Sequence, residues 1–177
     1  MDRLPVRTHH CRFCNHLLFA TTRDLASLPR RKPPAQDAAM ILPLPTDTHE
    51  TDPDRPEGDA EARKDGEATE AKTAATTPTT TQPHYTILLS TTIPERKPTL
   101  IRREDGFEKR LLLRCGRCRV VMGYFLDPVH FPDATAQEDE ESARVVYILP
   151  GAVMETGIMG TEEKMKAMDG EWSGWIR

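Results

Sequence analysis

The four cysteines of this chain of 177 residues fall into two pairs with the same spacing. Cys11 and Cys14 are separated by two residues near the N-terminus, and Cys115 and Cys118 repeat that spacing about a hundred residues later. Two thiolates at this spacing can bind the same tetrahedral zinc ion, each at about 2.3 Å. Each pair is therefore half of a tetrahedral site, and the sequence predicts one structural Zn²⁺ bound by all four cysteines.

The four-cysteine zinc site has two alternatives. His9, His10 and His16 flank the first pair closely enough to be rival ligands, but four thiolates already complete a structural site, so we expect these histidines to lie on the surface. Two disulfides would be the alternative in a secreted protein. The N-terminus has no signal-peptide pattern, and no apolar run approaches the ~18 residues that span a bilayer. We therefore expect an intracellular chain that binds metal.

The elements that must position the cysteines are mostly strands. Apolar runs on both sides of the second pair, 107–114 and 119–126, predict an antiparallel hairpin with Cys115 and Cys118 at its tip, as in zinc ribbons. Asn15, directly after the first pair, is expected to be a turn residue with a left-handed backbone. Further strands are predicted over 17–22, 84–92 and 143–149, and 152–156 is expected to pair with the last of these.

The C-terminal residues favour a helix. Thr161 is a suitable N-cap and acidic residues follow it, so a short helix is predicted over 161–168, with Gly170 ending it. Trp172 and Trp175 are expected to fold back onto the sheet, because large aromatic side chains are usually buried. The predicted fold class is mainly β, a small zinc-ribbon-like antiparallel β domain with a large disordered insertion and a short C-terminal helix.

The composition of the chain indicates which segments fold and which do not. With 15 prolines, 37% hydrophobic residues and a mean hydropathy of -0.58, much of the sequence is unsuited to a packed core. Residues 43–83 carry ten acidic and four basic residues, so the net charge of -4 is concentrated there. We predict two halves of one zinc-binding domain, 1–42 and 84–160, separated by a disordered acidic, Thr/Pro-rich insertion, 43–83, and followed by a helix and Trp-containing tail, 161–177.

The sequence indicates no catalytic chemistry. A catalytic zinc site keeps an open position with three protein ligands, and zinc deaminases add an acidic residue near them. Neither cysteine pair has such a glutamate beside it, and the chain contains no nucleophile elbow or phosphate loop. We expect no enzyme and no small-molecule substrate.

Five segments, in order, make the chain resemble the STING ER exit protein family. They are the pair Cys11/Cys14 with the apolar run after it, the connector 28–31 leading to 37–39, the segment 102–110, the segment 114–118 with its apolar exit, and the strand ending in 151–153. Three features depart from the family: the first pair has an extra residue between its cysteines, the acidic insertion is additional, and the family's long charged C-terminal tail is not present in these 177 residues.

The resemblance implies a non-enzymatic adaptor that promotes exit of membrane-protein cargo from the endoplasmic reticulum. The implied partners are ER membrane protein cargo or trafficking machinery and an anionic phospholipid surface, which places the protein in the cytoplasm at the periphery of the ER. We expect Arg114, Arg117 and Arg119 to contact the anionic partner.

One alternative follows from six arginines around the second cysteine pair: Arg102, Arg103, Arg110, Arg114, Arg117 and Arg119. They could instead mark a nuclear zinc-ribbon module associated with RNA or the spliceosome. Nucleic acid is a partner only under that interpretation.

Overall fold

The computed structural model describes residues 3–45, 83–127 and 145–175. Over these ranges the chain forms ten β-strands and one α-helix, which confirms a mainly antiparallel β fold. The elements are β1 (Arg7–Cys11), β2 (Leu17–Thr21), β3 (Met40–Pro43), β4 (Thr86–Leu88), β5 (Thr92–Pro94), β6 (Thr99–Arg103), β7 (Gly106–Cys115), β8 (Val121–Leu126), β9 (Val145–Ile148), β10 (Val153–Glu155) and α1 (Glu162–Trp175). None of the helical residues described forms a segment long and apolar enough to cross a membrane.

Two antiparallel sheets each contain one cysteine hairpin. The first has the order β10-β1-β2-β4, and the second has the order β3-β9-β8-β7-β5, with β6 also paired to β7. The β1–β2 turn carries Cys11 and Cys14, and the β7–β8 turn carries Cys115 and Cys118. One apolar cluster draws on both sheets, including Leu18, Phe19, Leu42, Leu113, Met122, Tyr124, Val146 and Ile148. This shared core fixes the two hairpins together.

Several predicted strands differ from the observed ones. The predicted strand 84–92 is two strands in different sheets, because a turn at Ser90–Thr91 separates β4 from β5. The segment 152–156 does not pair with β9; β10 pairs with β1, in the register Cys11↔Val153. Strand β3 extends to Pro43, the first residue of the predicted insertion, and most of that insertion, residues 46–82, lies outside the described residues. The domain boundaries stay a prediction.

Helix α1 is longer than predicted. Gly170 does not end it, and the helix continues through Trp175. The tryptophans fold back as expected: Trp175 Nε1 donates a hydrogen bond to the Pro150 carbonyl at 3.1 Å. Gly151 allows the helix to come close, because a Cβ atom built there would lie 2.7 Å from the Trp172 nitrogen. Its φ of +74° also favours glycine.

A buried ion network supports the base of the β7–β8 hairpin. Glu108, only 3% exposed, accepts hydrogen bonds from the guanidinium groups of Arg31, Arg103 and Arg110. Arg110 also pairs with Asp37 at 2.7 Å, and Asp37 accepts a hydrogen bond from the Tyr124 hydroxyl at 2.6 Å. Arg31, in the connector 28–31, is thus part of the interior.

Candidate metal centre

The first cysteine pair forms a compact knuckle at the end of β1. The Asn15 N–H donates to the Cys11 carbonyl at 2.8 Å, and the Cys11 N–H donates to the His16 carbonyl at 2.8 Å. Asn15 has a φ of 59°, which confirms the predicted left-handed turn residue. Asparagine tolerates this conformation better than most residues that carry a Cβ atom. The turn reverses the chain into β2 and leaves both sulfurs at the tip.

The second pair repeats this geometry at the end of β7. The Arg119 N–H donates to the Cys115 carbonyl at 2.9 Å, and the Cys115 N–H donates to the Val120 carbonyl at 3.0 Å. Arg119 takes the position equivalent to Asn15 and has a φ of 65°. An arginine gives no sequence signal for a left-handed residue, so this part of the turn could not be predicted.

The fold brings the four predicted ligands together. All four Sγ atoms lie within 4.8 Å of one another, and Cys11 and Cys115 are buried. The Cys11–Cys118 and Cys14–Cys115 Sγ distances are both 3.5 Å. Four sulfurs bound tetrahedrally at 2.3 Å would be about 3.8 Å apart, so the observed spacing needs only small adjustments. The four cysteines could therefore hold a metal ion.

The knuckle backbones favour the thiolate form that a metal requires. Burial by itself raises the pKa of Cys115, but hydrogen bonds from the backbone N–H groups of Cys118 and Arg117 outweigh it and lower the pKa to about 6. At Cys11 burial prevails and raises the pKa, although the N–H groups of Phe13 and Cys14 act against it. Burial also raises the pKa of Cys14. A divalent cation would compensate for burying these thiolates.

The flanking histidines lie outside the cysteine cluster. His10 Nδ1 is 3.0 Å from the Asn15 carbonyl and Nε2 is 3.0 Å from the Thr156 hydroxyl, so both ring nitrogens already have partners. His9 is not the surface residue that we expected: it is 1% exposed and stacks on Phe19 with ring centroids 4.7 Å apart. Burial lowers the pKa of His9 to about 4, so it is neutral near pH 7.

The predicted anion-contacting arginines occupy different environments. Arg117 and Arg119 are exposed on the second knuckle. Arg114 is already engaged, since its side chain pairs with Glu95 and donates to the Arg119 carbonyl at 2.9 Å. Contact with an anionic partner stays a prediction for all three, and it requires no rearrangement at Arg117 and Arg119.

Helix α1 packs against the first knuckle, a contact that the sequence did not indicate. Phe13, between the two cysteines, lies edge-on to Trp172 with ring centroids 5.0 Å apart. The neighbouring Arg12 forms an ion pair with Asp169. Both contacts join residues that are more than 150 positions apart, and neither sequence pattern identifies its partner. The metal centre and the C-terminal helix therefore form one structural unit.

Fold and site together define a small antiparallel β domain of the zinc-ribbon type, in which two knuckles from two sheets form a four-cysteine centre that could hold a metal ion. The particular family follows from comparison with known proteins. The STEEP1 domain, that of the STING ER exit protein family, matches residues 2–163, so the chain belongs to this family. The resemblance drawn from the five segments is thereby confirmed. No curated protein matches the chain.

Family membership bears on catalysis as well. The STING ER exit proteins are not a known enzyme family. In the described residues, the cysteine cluster is the one group of at least three possible ligands that is close enough to hold a metal ion, and it has no carboxylate among its members. Four thiolates leave no open position on a tetrahedral ion, so a metal at this centre would have a structural role.

Proposed function

We propose that this protein is a non-enzymatic zinc-binding adaptor that promotes exit of membrane-protein cargo from the endoplasmic reticulum. The observation that carries the proposal is membership of the STING ER exit protein family across residues 2–163. The four-cysteine centre supports it, because such a centre stabilises a binding domain and does not supply a reactive metal.

In this proposal one Zn²⁺ ion has the role that a disulfide has in secreted domains. Zinc suits an all-thiolate tetrahedral site and has no redox chemistry of its own. The hairpins β1–β2 and β7–β8 come from segments far apart in the chain, and a shared ion would fix the relative positions of their tips. The surfaces around those tips then become rigid enough to recognise a partner.

The partners in this proposal are ER membrane protein cargo or trafficking machinery, together with the anionic phospholipid surface of the ER. Arg117 and Arg119 are exposed beside the metal centre, where they are free of ion pairs with described residues. Exposed cations of this kind attract acidic lipid headgroups, in a manner that salt weakens. The protein would accordingly act in the cytoplasm at the periphery of the ER.

The RNA-associated alternative has less support. It was based on six arginines near the second knuckle, and three of them have acidic partners within the domain: Arg103 and Arg110 pair with Glu108, and Arg114 pairs with Glu95. Arg102, Arg117 and Arg119 are still exposed. Nucleic-acid binding generally requires a continuous basic surface, and half of the arginines that would form it are already paired within the domain.

Transport of membrane proteins in cells that lack the gene tests the proposal. We expect delayed ER-to-Golgi movement of at least one membrane cargo. The intact protein and the variant His10→Asn, which keeps all four cysteines, should both restore transport, whereas Cys115→Ser should not. Double charge reversal at Arg117 and Arg119 should weaken membrane recruitment without unfolding the domain. Normal transport of every cargo together with a splicing defect would support the RNA-associated alternative.

A further inference from the structure

Strand β6 forms an edge of the second sheet. Among the residues described, it pairs with β7 alone, in the register Leu100↔Lys109 and Arg102↔Phe107. The Lys109 carbonyl accepts a hydrogen bond from the Asp127 N–H, so the Lys109 backbone faces β8. Leu100, opposite Lys109, is then in a non-hydrogen-bonded pair, and Arg102 is in another. The backbone N–H and C=O groups of both residues therefore point away from β7.

The side chains next to this edge include two large apolar groups in contact with solvent. Leu100 is 62% exposed and Phe107 is 64% exposed. Residues that face each other across antiparallel strands share a sheet face, so Leu100, Arg102, Phe107 and Lys109 lie on one side. Glu108 and Arg110 alternate with them and are buried on the other side. Among the described residues, a strand edge without a further partner thus borders an apolar surface, a combination that proteins usually avoid.

The charges around this edge are predominantly positive. Arg96, Lys97 and Arg102 are exposed, and no ion pair joins them to any residue in the described ranges. Of the nearby acids, Glu95 pairs with Arg114 and Asp105 pairs with Arg103. Glu104, in the turn after β6, is exposed and accepts a hydrogen bond from Gln36, so three exposed cations face one unpaired carboxylate in the described residues. An acidic partner would therefore be attracted to this edge, and a basic one would be repelled.

We infer that the outer edge of β6 binds an extended acidic peptide segment of another protein, which adds to the second sheet as a further strand. Its backbone would bond to Leu100 and Arg102, its apolar side chains would cover Leu100 and Phe107, and its carboxylates would lie near Arg96, Lys97 and Arg102. This inference goes beyond the proposed function, because it assigns a binding surface and the chemistry of its ligand without reference to the ER.

Two other occupants fit less well. A bilayer would meet the hairpin tip, where Glu104 is exposed without a cationic partner among the described residues, and this carboxylate opposes insertion between anionic headgroups. A second copy of the chain would place its own cations of β6 against those of the first. The same cations that prevent self-association admit an acidic strand.

Peptide binding to the full chain tests the inference. The probe is a fluorescent, end-capped hexapeptide, Glu-Val-Glu-Glu-Glu-Val, whose second, fourth and sixth side chains place two valines and one glutamate on the same face of a strand. One control replaces each glutamate by lysine, and another keeps the sequence but carries N-methyl groups on alternate amides, which removes strand hydrogen bonds. We expect saturable binding of the acidic peptide, at least ~10-fold weaker binding of both controls, and slower hydrogen exchange at the Leu100 and Arg102 amides.

Variants of the protein show which surface binds the peptide. Arg102→Glu should weaken binding at least ~10-fold, whereas Lys166→Glu, an equal charge change on exposed α1, should leave it unchanged. Leu100→Pro should also weaken binding, with a near-normal circular dichroism spectrum, because its N–H makes no bond to β7. The inference is overturned if the acidic peptide does not bind or if the N-methylated peptide binds equally well. It is also overturned if the peptide slows hydrogen exchange outside β6 and not within it. A third contrary result would be that Arg102→Glu and Leu100→Pro weaken binding to phosphatidylserine vesicles but not to the peptide.

Discussion

The Sγ atoms of Cys11 and Cys118 lie 3.5 Å apart although 107 positions separate these residues in the chain. Cys14 and Cys115 have the same separation between their sulfurs. Each knuckle therefore contributes sulfurs that contact the other, and neither can bind a tetrahedral ion alone. Four adjacent thiols give little stabilisation without a cation, so the metal and the folded domain should depend on each other.

The first prediction concerns the metal. Elemental analysis of the purified protein should find one zinc per chain, and Cys115→Ser should reduce that ratio and unfold the domain, because a structural zinc site contributes on the order of 10 kcal/mol. His10→Asn should keep the full ratio, since His10 contacts Asn15 and Thr156. Protein purified without chelators that holds no zinc, or a loss of zinc in His10→Asn alone, would contradict the four-cysteine assignment.

The second prediction concerns the buried carboxylate. Glu108→Gln should lower the free energy of unfolding by roughly 3–5 kcal/mol, because Arg31, Arg103 and Arg110 would lose the charge that compensates theirs. Glu104→Gln is the matched control, because the Glu104 carboxylate is exposed and accepts a hydrogen bond from Gln36 Nε2 at 3.4 Å. That variant should change stability by less than about 0.5 kcal/mol. Urea denaturation followed by circular dichroism measures the free energy of unfolding of both variants. If Glu108→Gln changed it as little as Glu104→Gln does, the network would contribute nothing to stability.

The third prediction gives the pH dependence of that carboxylate. Burial acts to raise the pKa of Glu108, but the hydrogen bonds from Arg31 and Arg110 prevail and lower it from 4.5 to about 2. The unfolded chain therefore binds this proton at a higher pH than the folded domain. The contribution of Glu108 to stability is complete above about pH 5 and is lost as the pH falls towards about 2.

The measurement is the difference in unfolding free energy between the wild-type protein and Glu108→Gln. It should stay constant from pH 7 to about pH 5 and decrease below that, for as long as both proteins unfold cooperatively. Loss of metal in acid affects both proteins, so the difference reports the carboxylate. A difference that already decreases between pH 7 and pH 6 would mean that Glu108 titrates close to neutrality.

Local patterns predicted the centre better than they predicted the sheets. The cysteine spacing, the apolar runs around Cys115 and the turn propensity of Asn15 are all local features, and each identified the correct structure. Strand β1 has the sequence Arg-Thr-His-His-Cys, without the apolar alternation that marks a strand. It is a strand because β2 and β10 pair with it on both sides.

The remaining errors also have non-local causes. Gly170 is a common residue for ending a helix, but α1 continues past it because Trp172 and Trp175 pack against Phe13 and Pro150. The buried network was not predictable, because Arg31, Asp37 and Glu108 appear as ordinary surface residues until the fold brings them together.

The fourth prediction concerns the predicted insertion. Deleting residues 47–82 and joining the ends with a short Gly/Ser linker should change the melting temperature by no more than about 5 °C, because closure entropy varies slowly with loop length. A deletion that also removes Pro43 and Leu44 should be clearly more destabilising, since Pro43 pairs with Val145 and Leu44 packs against the core. A large loss of stability in the first deletion would mean that residues 47–82 contribute contacts that their composition does not indicate.

The last prediction contrasts two glycines near the C-terminus. Gly151→Ala should destabilise the domain, because its φ of +74° disfavours a side chain and the new methyl group would meet Met168 and Trp172 of α1. Gly170→Ala should instead raise stability by roughly 0.5–1 kcal/mol, because no atom beyond its chain neighbours and the nearby backbone of α1 lies within 4 Å of the added Cβ, and alanine is the better helix former.

Tryptophan fluorescence separates the two effects in one experiment. The two tryptophans of the chain are Trp172 and Trp175, so emission reports the packing of α1. Gly151→Ala should shift the emission towards that of exposed indole, and Gly170→Ala should leave it unchanged while raising the melting temperature. If Gly170→Ala were destabilising, α1 would not extend through residue 170 in solution. If Gly151→Ala left the emission unchanged, the helix would not pack on the Pro150–Gly151 turn as the structure shows.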